Sequence, residues 1–309
     1  MSSPAPSSAA SDPAASGPIA SGLAPALGAY LIWGFLPLYL VLVRSVPAFE
    51  FVGWRIIWTL PLCLAIVAYR RQFPELLDAL KSPRSLLALL ASAVLIGINW
   101  FVYIWAIMAG EVYATSIGYY LNPLLNVLLG TLVLGEKLSK RQWLAVAIAA
   151  VAVALLAVGA VTSLWISLTL GISFALYGLV RKQVAVGSLP GLTIESAILL
   201  PIAAGIAGWY ALTPQGSAFG QDAWMSALIV FSGVVTAVPL LLFALAARRM
   251  DYSTLGFLQY IAPTIVFFLG LFVFHQPLAP EKLGSFVLIW IAVGVFVWDL
   301  WAKRKAASA

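Results

Sequence analysis

Two charged side chains, one basic and one acidic, stand out within long apolar stretches of the sequence. Arg55 falls within the stretch at 50–69, and Glu195 falls within the stretch at 192–211. Charges inside a membrane are costly, and they commonly pair with another group or mark a path for protons, ions or substrates. Glu195 could couple transport to protons or to substrate. Arg55 could bind an anion or form part of a gate. The alternative is that both side chains snorkel to headgroups or cap neighbouring helices.

Amide and aromatic side chains inside apolar stretches form a second set of candidates. Amides such as Asn126 either hydrogen-bond a ligand or fasten two helices together. Aromatic rings stack on an aromatic or amphipathic substrate, but they are also common packing and interface residues. The predicted substrate-binding residues are Asn99, Trp100, Tyr103, Tyr119, Tyr120, Asn122, Gln259 and Tyr260.

Motifs that would indicate catalysis are missing from the sequence. It contains no HExxH or CxxC motif, and its single histidine, His275, has no evident serine or cysteine nucleophile placed with it. No Walker A glycine loop is present to bind a nucleotide phosphate. We therefore predict no catalytic residue, no metal site and no cofactor, and we do not expect an enzyme.

The composition is that of a protein with many membrane spans. Hydrophobic residues make up 63% of the chain and charged residues only 9%, against about 25% charged in soluble domains. Residues 1–21 are rich in Ser, Ala, Pro and Gly, which predicts a disordered cytoplasmic tail. The lipid bilayer is therefore the expected environment of the rest.

Ten apolar stretches are long enough to cross a hydrocarbon core of about 30 Å. They lie at 24–43, 50–69, 86–108, 112–134, 142–160, 162–180, 192–211, 224–247, 252–274 and 284–302. With the N-terminus inside, only Arg44 and Lys282 fall in outer segments. The inner segments hold Arg70, Arg71, Lys81, Arg84, Lys137, Lys140, Arg141, Arg181, Lys182, Arg248, Arg249, Lys303, Arg304 and Lys305. This positive-inside pattern predicts that both termini are cytoplasmic and that the basic residues contact lipid headgroups, not nucleic acid.

An offset of 140 residues relates the two halves of the chain, because it aligns Tyr120 with Tyr260 and Pro123 with Pro263, and it also places Arg55 opposite Glu195. Five spans per half is an odd number, so the two halves must have opposite orientations in the membrane. We predict two inverted repeats at 22–160 and 161–302, followed by a basic tail at 303–309. The inversion places Arg55 and Glu195 toward opposite faces, so we do not expect them to pair directly. Prolines within the spans predict helix bends at Pro61, Pro123, Pro201, Pro239 and Pro263.

Several motifs together resemble one family of permeases. They are YLIWGFLPLY (30–39), LIGINWFVYIWAI (95–107), SIGYYLNPLLNVLLGTLVLGEKLSKRQWLAV (116–146) and STLGFLQYIAPT (253–264). The chain resembles the RarD subfamily, known as chloramphenicol-sensitive proteins, of the EamA-type permeases in the drug/metabolite transporter superfamily. The resemblance implies an all-α polytopic membrane protein, with ten transmembrane helices as two inverted five-helix EamA repeats. The chain has Trp54-Arg55 where the family usually has His-Arg, and His275-Gln276 where it usually has Gly-Glu.

These features lead to one functional prediction and one alternative. The prediction is a secondary active transporter of the bacterial cytoplasmic membrane that moves a small amphipathic metabolite or drug by alternating access, with protons as a possible coupling ion. Its substrate would bind near the midplane, against the third, fourth, eighth and ninth spans. The alternative is a membrane ligand sensor or assembly partner that does not transport. Substrate identity, direction and oligomeric state stay open.

Overall fold

A computed structural model of the chain describes residues 18–109, 111–158, 163–275 and 280–307. All regular secondary structure in these residues is helical, which confirms the all-α prediction. Residues 1–17 of the predicted tail lie outside the described residues, and residues 18–21 belong to the first helix. The twelve helices are α1 (Pro18–Leu42), α2 (Ala48–Tyr69), α3 (Phe73–Lys81), α4 (Pro83–Met108), α5 (Val112–Leu132), α6 (Lys140–Val158), α7 (Leu164–Gln183), α8 (Ser188–Ala211), α9 (Ala223–Arg249), α10 (Tyr252–Gln259), α11 (Ile261–Phe272) and α12 (Pro280–Ala307).

Nine helical segments within the described residues are long and apolar enough to cross a membrane, with α10 and α11 counted as one segment. Helix α5 is not among them, although it has 21 residues. Its sequence, VYATSIGYYLNPLLNVLLGTL, carries hydroxyl and amide groups along its whole length. The protein is therefore a multi-pass membrane protein, and the count of ten spans stays a prediction.

Helix α3 is an additional element that the span assignment left within a loop. It has nine residues, too few to cross the membrane. It is amphipathic, with Leu76 buried and Leu77 and Leu80 exposed. Its Glu75 accepts a hydrogen bond from the Gly187 amide at the start of α8, at 2.9 Å. Helix α3 therefore fixes the beginning of α8 from the predicted cytoplasmic side.

The ninth predicted span is interrupted, and the interruption lies next to a proline. Helix α10 ends at Gln259 and α11 begins at Ile261, with a turn at Tyr260 between them. Pro263 has no amide hydrogen to donate to the Gln259 carbonyl, so one intrahelical hydrogen bond is missing at the interruption. The other four prolines predicted to bend helices lie inside the uninterrupted helices α2, α5, α8 and α9, and bends there stay predictions.

The helices follow the 140-residue offset in where they begin. The first residues of α2, α4, α5 and α6 are at 48, 83, 112 and 140, and those of α8, α9, α10 and α12 are at 188, 223, 252 and 280. The packing follows the offset too. Helix α1 contacts α9, and their counterparts in the other half, α7 and α4, also contact each other. Helix α2 contacts its own counterpart, α8. Helices of the two halves therefore interleave around a common centre, where the two halves can close a shared site.

Candidate functional site

A small cavity lies at this centre, with walls from α2, α4, α7, α8 and α9. Its walls are mostly apolar, with Ile56, Ile96 and Leu240 on three sides, and they include Trp100 and Glu195. Its volume of about 10 Å³ is roughly what one water molecule needs. Small-molecule sites usually have about 300–1,000 Å³, so the centre is closed in this conformation.

Glu195 is 1% exposed and has three polar partners that come from α4 and α7. Ser92 on α4 donates a short hydrogen bond to its Oε1. The Tyr177 hydroxyl on α7 donates to Oε2 at 3.5 Å, and Nη1 of Arg181 lies 3.4 Å from Oε1. A buried carboxylate needs such partners, because removal from water costs several kcal/mol per ion. Glu195 is thus held as one member of a buried ion pair.

Arg181 is the main functional residue that the sequence analysis missed. It was assigned to a cytoplasmic loop, but it lies in the last turn of α7 and is 0% exposed. Its Nη2 donates to the Ser188 carbonyl at 2.8 Å, and Gly191 makes room for it, since a Cβ there would lie 2.8 Å from the Arg181 Cζ. One signal in the sequence could have revealed Arg181. Glu195 needs a cation near it, and Arg181 is a basic residue at the same end of the spans.

Arg55, the counterpart of Glu195 in the first half, is half-buried and does not line the cavity itself, but its neighbour Ile56 does. Its Nε donates to the Thr236 hydroxyl on α9 at 2.9 Å, and its guanidinium lies 5.2 Å from the ring centroid of Trp100. Within the described ranges no carboxylate is found within 4.0 Å of it. As expected from the inversion, Arg55 and Glu195 do not form an ion pair with each other.

The first group of predicted substrate-binding residues lies around this centre. Trp100 lines the cavity, and the rings of Tyr103 and Tyr119 pack edge to face at 5.9 Å, near enough to Arg55 to interact with it electrostatically. Asn99 instead donates to the Leu170 carbonyl at 2.9 Å and to the Ser173 hydroxyl at 3.0 Å. Asn99 therefore fastens α4 to α7 in this conformation, which is the alternative considered for it.

The second group lies away from the cavity, where α5 packs against α10. The Gln259 side chain accepts a hydrogen bond from Asn126 at 3.1 Å, and the Tyr260 hydroxyl donates to the Tyr120 carbonyl at 3.4 Å. Asn122 is 1% exposed, and neither its Oδ1 nor its Nδ2 has a partner among the described residues. An unpaired buried amide costs about 1–3 kcal/mol, so Asn122 is the member of this group with polar capacity left for a ligand or a water molecule.

Basic residues predicted to contact headgroups also bind the ends of α7 and α9 at the predicted cytoplasmic side. Lys182 donates to the carbonyls of Ala247 and Met250 at 2.9 and 2.6 Å, at the end of α9. Arg248 donates to the Val184 carbonyl at 3.1 Å, just after α7. Each cation thus binds carbonyls that the end of a helix leaves unpaired, as favoured at helix C-termini. These contacts tie α7 to α9 at that end.

Glu136 makes a further contact between the halves at the same end. It accepts hydrogen bonds from the amides of Tyr252 and Ser253 at 2.6 and 2.9 Å. These amides are among those that the start of α10 leaves without an intrahelical partner. Burial and the neighbouring Glu136 carboxylate raise the pKa of Asp251, which precedes α10. The start of α10 is therefore crowded with negative charge.

Comparison with known proteins identifies the family. The profile of the EamA-like transporter family matches residues 20–158. Protein RarD of Salmonella typhimurium is 41% identical over 293 residues, which covers 92% of this chain and 97% of that protein. The chain belongs to the RarD group of the EamA-like transporter family. A Vibrio cholerae protein named as an uncharacterized transporter is 39% identical over 279 residues, covering 90% of this chain and 92% of that protein.

A solved crystal structure shows the same fold at low sequence similarity. Its TM-score is 0.69 at 19% identity, and the match covers 89% of this chain and 96% of that one. This match shows the fold alone, and the relatives described above confirm the family resemblance found in the sequence. The chain is a member of a transporter family, and several of its relatives, such as the Vibrio cholerae protein, are named as transporters.

Proposed function

We propose that this protein is a secondary transporter that moves a small amphipathic metabolite or drug across the bacterial cytoplasmic membrane by alternating access. The observation that carries the proposal is a pair of hydrogen bonds between the halves, one toward each end of the closed cavity. At one end Ser92 of the first half bonds Glu195 of the second. At the other end Arg55 of the first half bonds Thr236 of the second. Opening one contact while the other stays closed would expose the cavity to one side only.

Glu195 is the candidate for proton coupling. In its charged form it holds both Ser92 and Arg181. Protonation would remove the charge that pairs with Arg181 and weaken the contact to α4, so the end of the cavity near Glu195 would open. Bound substrate and bound protons would then favour different conformations, which is what coupling requires. Arg55 is the candidate for the opposite gate.

The orientation follows from the charge of the loops. Basic residues are concentrated in the segments on the side of the N-terminus, so the positive-inside rule places both termini in the cytoplasm. Glu195 then lies in the cytoplasmic half and Arg55 in the outer half. The proposed partners are a small-molecule substrate, the lipid bilayer and protons, and no nucleic acid.

Transport into proteoliposomes with an imposed pH gradient tests the proposal. We would screen pooled amino acids, metabolites and chloramphenicol with the wild type and with Glu195→Gln. The proposal predicts gradient-driven movement of at least one compound, with the dependence on the gradient lost in the variant. Glu50→Gln is the matched control, because Glu50 is equally buried but bonds the Ala218 amide at 2.8 Å outside the cavity. Binding of a compound without movement would instead favour the ligand sensor.

A further inference from the structure

The two charges at the ends of the cavity occupy equivalent places in the two halves, but only one has a countercharge. Arg55 on α2 and Glu195 on α8 are related by the 140-residue offset. Their bonding partners Thr236 and Ser92 lie on α9 and α4, which the same offset relates. Glu195 pairs with Arg181. The position equivalent to Arg181 in the first half is Val41, which carries no charge.

The outer end of the cavity therefore has an uncompensated positive charge. Arginine at the centre of a membrane span costs about 2.5–3.5 kcal/mol on insertion scales. The contact with Trp100 offsets part of this cost, since a cation over an aromatic ring gains about 0.5–2 kcal/mol. Tyr39, Tyr103 and Tyr119 lie near enough to Arg55 to interact with it electrostatically, but neutral tyrosines supply no negative charge. Together Arg55, Arg181 and Glu195 leave the path through the protein with one excess positive charge.

The guanidinium of Arg55 also has hydrogen-bonding capacity left. The bond from its Nε to Thr236 is the one hydrogen bond of this side chain to the described part of the protein. Its two Nη groups are left for an acceptor, and a planar guanidinium matches a carboxylate with two parallel hydrogen bonds. Trp100, over which the guanidinium lies, lines the cavity together with Ile56, Ile96 and Leu240. A cationic head site thus lies above an apolar wall.

We propose that the transported solute is an organic anion, with a carboxylate that binds Arg55 and an apolar part that enters the cavity. This inference rests on the proposed transport function and adds the charge of its substrate. The anion supplies the countercharge that Val41 does not. A cationic solute would meet the excess positive charge on the path and be repelled, and a neutral one would leave Arg55 uncompensated.

A series of probes that differ only in the head group tests this inference. 3-Phenylpropionate is the anion, 3-phenylpropionamide its neutral counterpart and 3-phenylpropylamine its cationic counterpart. Binding to purified protein is followed by tryptophan fluorescence, and uptake is measured in proteoliposomes. We expect the anion to bind at least about ten-fold more tightly than the amide, which corresponds to about 1.4 kcal/mol. We expect no binding of the amine at the same concentration.

Three variants assign the effect to Arg55. Arg55→Gln should remove the preference for the anion, and Arg55→Lys should keep a weaker preference, because the charge stays while the two parallel hydrogen bonds are lost. Arg44→Gln is the control, because Arg44 is exposed on the same outer side and its loss changes the general surface charge equally. The inference is wrong if the amide or the amine binds as well as the anion, if no probe binds, or if Arg55→Gln keeps the preference. Uptake of neutral or cationic compounds would overturn the inference and leave the transport function standing.

Discussion

Removal of the Arg181 side chain should destabilise the protein strongly and in a pH-dependent way. Arg181→Gln leaves the Glu195 carboxylate buried without its cation, since the two groups lie 3.4 Å apart and both side chains are buried. Loss of one partner of a buried ion pair costs about 3–5 kcal/mol. Glu195 can avoid this cost by taking up a proton. A glutamic acid in water has a pKa of about 4.3, so protonation at pH 7 costs about 3.7 kcal/mol. We therefore expect a loss of about 4 kcal/mol at pH 7.

The loss of stability in Arg181→Gln also depends on pH. Each unit by which the pH falls makes protonation about 1.4 kcal/mol less costly, so the loss should shrink to about 2 kcal/mol near pH 5.5. The variant becomes relatively more stable as the pH falls, because its folded state binds one proton more than the unfolded chain does. The double variant Arg181→Gln/Glu195→Gln has neither charge and should recover most of the stability at every pH.

Unfolding of purified protein in detergent, followed by tryptophan fluorescence between pH 5.5 and 8, measures these effects. Arg249→Gln is the control, because Arg249 is exposed at the end of α9, and surface changes of this kind stay within about 0.5 kcal/mol. If the single and the double variant were equally unstable, or if the loss did not depend on pH, Arg181 and Glu195 would not form the ion pair described here.

Three further predictions concern other polar groups. Asn122→Leu should stabilise the protein by about 1 kcal/mol or more, because its buried amide has no partner among the described residues, while it lowers transport. In a parallel thermal unfolding experiment Asn126→Leu should destabilise the protein, since it loses the hydrogen bond to Gln259. If both leucine variants stabilised the protein, this hydrogen bond would contribute nothing to stability. Glu136→Gln should cost about 1–2 kcal/mol, because it weakens the charged cap on α10, and an unchanged melting temperature would refute the cap. Asp251→Asn should raise the free energy of unfolding at pH 7 by less than about 1 kcal/mol, and with it the melting temperature, since Asp251 is exposed. The stability gained by the variant should fade as the pH falls through the raised pKa of Asp251, because protonation removes the unfavourable charge from the wild type as well. A gain that grows on acidification would show that the pKa of Asp251 is not raised.

The sequence predicted the helical architecture well, because the signals that carry it are local or periodic. Apolar runs of about 20 residues indicate spans. The 140-residue offset indicated that the halves are related, and the helix starts of the structure follow it. Helix α3 was missed because it is too short and too polar to be recognised as a span. The break at Tyr260 depends on the hydrogen bonds lost near Pro263, which a hydropathy pattern does not show.

The site was predicted less completely, because its geometry depends on contacts between distant residues. The sequence singled out Arg55 and Glu195, since a charge within an apolar run is conspicuous. Arg181 was overlooked, because it stands beside Lys182 at a span end and has the pattern of a loop residue, and only the need of Glu195 for a cation pointed to it. The sequence could not show that Asn99 bonds α7 while Asn122 has no partner among the described residues. Both are amides in spans, and only packing distinguishes them.

Distances between spin labels on the two sides of the protein test alternating access most directly. In a Cys63→Ala background, one pair of labels would replace Arg44 and Leu212 at the outer side, and another would replace Arg70 and Arg249 at the inner side, all four of them exposed. The account predicts that lowering the pH lengthens one distance and shortens the other, and that Glu195→Gln fixes both distances at their low-pH values. Distances that both stay constant, or that change in the same direction, would contradict a cavity that opens alternately to the two sides.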